Sequence, residues 1–250
     1  MQERNEENHG NGTSAAVTAE NKTKNRRAVD FLTSDWQKYT RTQIISINAL
    51  LCAIVLLFVL VPLKIGVLDL AVIPIIAILI STEVLGLFNG MLTGLFFGLV
   101  SFLNHLLRHP SVLSDIFIKN PMITFFPRIM IGVTVFFTIK LLDYAFSKIH
   151  YKNEKSQKIT PKILDTIKYA IGALIGVITN TAGVLGFMYL FYSGNTLASG
   201  VAISGKFILA IIATNSILEA AVCTVVTPAI TIAVKKTLEY TMRRKIKTAK

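Results

Sequence analysis

Between residues 43 and 235 the sequence is a succession of apolar runs, each about as long as a lipid bilayer is thick, separated by short polar breaks. A hydrocarbon core of roughly 30 Å is crossed by about 20 helical residues. Backbone inside lipid has to satisfy its own hydrogen bonds, which leaves helices or closed barrels as the only spanning forms. These runs are continuous rather than alternating, so they predict helices. Six are expected, at about 43–62, 68–87, 89–107, 121–146, 164–192 and 204–235. Charged residues make up only 16% of the chain, against about 25% in a typical soluble domain, and mean hydropathy is +0.58. A disordered protein, a collagen-like fibre and an ordinary soluble enzyme are excluded. The fold class expected is an all-α membrane protein, a compact bundle of six transmembrane helices.

Two connections read as special. The second and third runs are nearly continuous and break only at Gly86-Leu-Phe-Asn-Gly90, which predicts a tight turn. Pro62 and Pro74 bracket Lys64-Ile-Gly-Val-Leu-Asp69, so the second helix is expected to be short or to follow a loop on the membrane surface. Residues 1–40 are polar and read as a disordered tail. Residues 41–238 form the transmembrane domain, and 239–250 form a basic C-terminal tail.

The basic residues orient the bundle. Of the 26 Lys and Arg, seven lie between Arg4 and Arg41, six between Lys148 and Lys168, and seven from Lys235 onwards. The opposite side carries Lys64, Arg108, Lys119 and Lys206. The positive-inside rule places both termini and the 148–168 connection in the cytoplasm. The net charge of +12 is therefore read as membrane orientation and attraction to anionic lipid, not as nucleic-acid binding. Cys52 and Cys223 both lie in apolar runs and read as small buried hydrophobes.

Sites for chemistry are sparse. Gly200-Val-Ala-Ile-Ser-Gly205-Lys206 has most of a phosphate-binding loop, but Phe207 stands where Ser or Thr would hold magnesium and no strand precedes it. His105 and His109 flank a helix end beside Arg108 and Pro110, with no Gly-x-Ser-x-Gly or His-Glu-x-x-His anywhere. No catalytic residue, metal or cofactor is expected. Small residues recur at four-residue spacing, at Gly90, Gly94 and Gly98, at Gly172 and Gly176, and at Ala49 and Ala53. Such spacing lets helix backbones approach closely. In the first helix it suits docking on another subunit.

Polar residues inside the membrane carry more information, because ionised groups there face a cavity or a partner. With about 1.5 Å of rise per residue, Arg128 lies roughly 10 Å, and Asn180 and Asn215 each roughly 16 Å, below the outer surface. Asn104 is about one turn from the outer end of its helix, and Asn120 sits at the mouth of the next. Glu83 and Lys140 fall near the inner ends and read as interfacial. The outer set suits a small polar ligand bound from outside. A guanidinium fork matches a carboxylate, and carboxamides both donate and accept. Glu219, one turn deeper than Asn215, is an alternative partner for Arg128.

With these residues in hand, the chain resembles the substrate-binding S components of energy-coupling factor (ECF) vitamin transporters over about residues 43–235. Ala49-x-x-x-Ala53 is similar to the first-helix motif through which those proteins dock on a shared coupling subunit. Phe97-Gly98 with Ser101, Asn120-Pro121, Pro127-Arg128 with Gly132, Thr179-Asn180-Thr181 with Leu185-Gly186, and Asn215 with Glu219-Ala220 resemble the pattern of S components assigned to pantothenate. The long polar tail departs from that pattern, as does Phe88-Asn89-Gly90, where relatives often carry Gly-Pro and a basic residue. The resemblance implies a multi-pass subunit of the cell membrane that is not an enzyme. It implies capture of a vitamin by Arg128, Asn120, Asn180, Asn215 and Asn104, under loops 63–70, 108–120 and 193–203. It implies a transmembrane coupling protein and two ATPase subunits as partners in the bilayer, and no nucleic acid. An S component for another vitamin, a membrane enzyme and a scaffold without transport role stay open at this level.

Overall fold

A short helix buried on every side organises the molecule. The computed structural model describes residues 39–61, 63–65, 68–70, 72–109, 113–147, 154–197 and 202–248. The tail expected over residues 1–40 lies outside these, except for Tyr39 and Thr40. Helix α1 (Arg41–Leu60) opens on a capping box, in which Thr40 and Gln43 exchange backbone and side-chain hydrogen bonds. A two-stranded hairpin follows, β1 (Leu63–Ile65) with β2 (Leu68–Leu70), antiparallel with Leu63 opposite Leu70. Helix α2 (Val72–Leu85) comes next. Every residue of α2 from Pro74 to Leu85 is buried, as expected of a helix apolar all round. It touches α1 and all four long helices that follow it. Its 14 residues span about 21 Å, less than the hydrocarbon thickness. The short second helix expected from Pro62 and Pro74 is thus present, and the segment before it is a hairpin rather than a plain loop.

The chain reverses at Gly86, whose φ of 89° lies in the left-handed region that glycine enters without penalty. One residue makes the turn, not five. Helix α3 (Leu87–Arg108) starts immediately after it, so Phe88, Asn89 and Gly90 are already helical. The short α4 (Ser114–Lys119) caps the hairpin end, and α5 (Met122–Ser147) and α6 (Glu154–Tyr192) descend and return. Helix α7 (Gly205–Ile211) passes through a π-helical turn (Ile212–Ser216) into α8 (Ile217–Thr248). The basic C-terminal segment therefore continues as helix. Among the described residues, five segments are long and apolar enough to cross a membrane: α1, α3, α5, residues 162–192 of α6, and the joined 205–242 stretch.

The glycines set how closely α3 approaches α5. A Cβ on Gly94 would collide with the carbonyl of Arg128, and one on Gly132 would come within 2.8 Å of the Gly90 backbone. This spacing packs the bundle internally. One hydrophobic core centres on α2, with Ile75, Ile78, Leu79 and Leu85 fully buried. A second, at the hairpin end, joins Phe117, Ile123, Leu185, Met188 and Ile203. Strand β2 lies beside the π turn, so the hairpin reaches into the mouth of the bundle.

Candidate functional site

Arg128 is held by a defect in its own helix. Pro127 has no N–H, so the carbonyl four residues before it loses its helical donor. That carbonyl belongs to Ile123, and Arg128 Nη1 donates to it at 2.8 Å. The guanidinium lies 5.3 Å from the centroid of the Phe97 ring, within cation–π range. Arg128 is 7% exposed, yet its Nε has no hydrogen-bond partner among the described residues. Glu219, also buried, is close enough for its charge to act on Arg128, and His105 feels the charge of Arg128 in turn.

Other polar atoms share this condition. The Oδ1 atoms of Asn104, Asn180 and Asn215 and the Oγ1 of Thr124 are out of reach of water and unpartnered among the described residues. Thr124 lies one helical turn before Arg128. Buried polar atoms are paired in the great majority of cases, and those left over call for an explanation. Thr181 Oγ1 donates to Ser216 Oγ at 3.2 Å, which sets Asn180 and Asn215 at one level on adjoining helices. Asn215 belongs to the π turn, a feature that occurs often at functional sites because it re-aims side chains and frees carbonyls. Gly183 packs against Pro127, where a Cβ would lie 2.7 Å from the ring. That contact brings α6 up to the segment carrying Arg128.

Asn120 differs from the rest of the expected set. Its Oδ1 accepts from the Met122 N–H at 3.2 Å, so it caps the start of α5. Ala49 and Ala53 are exposed on α1, whose buried positions are Asn48, Leu51, Val55 and Val59. His105 is half-buried, with Nδ1 3.1 Å from Ser114 Oγ and its ring 4.6 Å from that of Phe117.

Glu83 is enclosed by protein: its helix α2 is sunk in the bundle, and Glu83 is 5% exposed. Its Oε2 accepts from Thr231 at 2.6 Å. Lys235, one turn further along α8, donates to Tyr169 at 2.8 Å, and Lys168 bridges Asp143 and Asp165 at 2.8 and 3.0 Å. A second polar group joins Asn48, Ser81, Asn89 and Thr93. Asn48 donates to Asn89 at 2.6 Å, Ser81 donates to Asn48 at 3.0 Å, and Thr93 donates to Ser81 at 3.0 Å. Sequence reading missed both groups. Their only trace in the sequence is an Asn or a carboxylate inside or at the edge of an apolar run.

The polar chemistry differs between the two ends of the bundle. Near the Gly86 end, most carboxylate, ammonium, hydroxyl and amide groups are tied to one another across helices, although Glu83 Oε1 and, on α8, the Oγ1 atoms of Thr224 and Thr227 have no partner among the described residues. Towards the hairpin end, a cation and several carboxamide oxygens are buried with capacity to spare. A family model described as "ECF transporter, substrate-specific component" matches residues 44–231. No curated protein matches the chain.

Proposed function

The chain belongs to the family of ECF transporter substrate-specific components, and from that premise we propose that it captures a vitamin, with pantothenate as the first candidate. Membership makes it a multi-pass subunit of the cell membrane that binds a small molecule, is not an enzyme, and works with coupling and ATPase partners. Helix α2 and the five long segments form six passes, with both termini cytoplasmic as the basic residues require. Cargo enters from the outside at the hairpin end, and loops 63–70, 108–120 and 193–203 close over it.

One observation carries the choice of cargo: an arginine nitrogen and three carboxamide oxygens are buried without partners. Leaving such groups empty costs about 1–3 kcal/mol each, more for a charged one, so a ligand that satisfies them gains that energy. Pantothenate has one carboxylate for Arg128. It also has three donors, two hydroxyls and an amide N–H, for Asn104, Asn180 and Asn215. Asn120 then acts by holding the mouth of α5. The charge of Glu219 on Arg128 favours a second reading, an uncharged vitamin, if the two residues neutralise each other.

The test is to purify the full chain from cells and identify the copurifying small molecule by mass spectrometry. Calorimetry with pantothenate then compares wild type and Arg128→Ala. Pantothenate is expected to copurify, and the variant to lose about 1.5–3 kcal/mol, or roughly 10- to 150-fold in Kd. An uncharged vitamin in the protein, with Arg128→Ala binding it normally, would overturn the carboxylate role.

A further inference from the structure

A groove on the outer wall of the bundle carries an inference that does not depend on the identity of the cargo. It lies between α6 and the α7–α8 stretch, holds about 560 Å³, and is lined by residues including Val177, Ala182, Gly186, Tyr189, Ile212 and Ala220. Ile178, Tyr189 and Ile217, on its walls, are 50%, 48% and 63% exposed. The groove therefore opens away from the bundle, towards the bilayer. Its polar lining is Thr181 and Ser216, which bond to each other, and Tyr189 at its rim.

Length decides what fits. From Val177 to Tyr189, and again from Ile208 to Ala220, the walls run about 18 Å. Half of a hydrocarbon core of roughly 30 Å is about 15 Å. The groove thus starts at the interface, where tyrosine rings favour the headgroup level, and stops near the bilayer midplane. A transmembrane helix of a partner or of a second copy needs a seat along the whole thickness. A polar ligand finds hydroxyls already engaged. We propose that the groove seats one acyl chain of a phospholipid from the leaflet at the hairpin end. The chain would pack on Ile212 and Ser216, the two ends of the π turn that carries Asn215, and so would back the wall of the candidate site.

The test uses the full chain in nanodiscs of phosphatidylglycerol and phosphatidylcholine doped with a phospholipid bearing a diazirine in mid-chain. After photolysis, adducts are mapped by peptide mass spectrometry. Leu99 and Leu103 on α3, both exposed, serve as ordinary lipid-facing controls. Adducts on groove residues are expected to exceed those on the controls about fivefold or more. A Cβ on Gly186 meets no atom within 4 Å, so Gly186→Trp fills the groove without entering the core. In that variant the excess at Ile178, Ala182 and Ile212 is expected to fall to the control level. Labelling equal to the controls in the wild-type protein overturns the proposal, as does an excess that survives in Gly186→Trp. The wild-type pattern alone decides the matter if the variant is not produced.

Discussion

At the scale of single residues, Pro127 shows how a local rule makes a site. It would be read from sequence as a helix irregularity. In the bundle it releases the carbonyl of Ile123, and that carbonyl anchors Arg128. Pro127→Ala returns a competing N–H to this carbonyl. The helix is expected to stay folded while pantothenate binding weakens by about 0.5–1.5 kcal/mol, roughly 2- to 12-fold in Kd by calorimetry. An unchanged Kd would separate the proline from the arginine's function. Glu83 tests the opposite end. Glu83→Ala removes the acceptor for Thr231. Leaving a buried hydroxyl without its partner costs about 1–3 kcal/mol, so a drop in Tm is expected, with Glu83→Gln losing less because it still accepts from Thr231. Sequence reading did not show that Glu83 is buried within the protein, because burial depends on where its helix packs among the others.

At the scale of elements, legibility followed length. Runs α1, α3 and α5 appear within a few residues of their expected bounds, because twenty or more consecutive apolar residues admit few alternatives. Helix α2 and the hairpin were not legible in this form. The 62–71 stretch has no strand period to read, and a 14-residue helix is stable here only because neighbours surround it. The bonds that hold α1, α2 and α3 together are likewise tertiary. Asn48→Ala would leave Asn89 and Ser81 short of partners and is expected to destabilise the fold by about 1–3 kcal/mol, measured by thermal unfolding in detergent. Gly132→Leu drives a side chain into the Gly90 backbone. An overpacking cost of about 1–3 kcal/mol or more would appear as a lower Tm or poor folding. A neutral result would mean that α3 and α5 slide apart at no cost.

At the scale of the whole molecule, the chain contains no motor. Family membership supplies the missing parts as coupling and ATPase partners. Both Ala49 and Ala53 face outward on α1, on a helix anchored to the bundle by other positions. Ala49→Trp is therefore expected to abolish co-purification with the coupling subunit while leaving the Kd for cargo unchanged. Retained assembly would move the docking face elsewhere.

Sequence alone determined that the protein is helical and lives in a membrane. Those properties come from transfer of apolar and charged groups between water and lipid, and each residue contributes to them wherever it stands. Only the tertiary structure decided which polar groups are neighbours. It tied Asn48 into a closed network and left Arg128, Asn104, Asn180 and Asn215 with capacity for something else. Hydrogen bonding is short-ranged and directional, so which groups it joins follows from how the helices pack, and packing is a property of the assembled bundle.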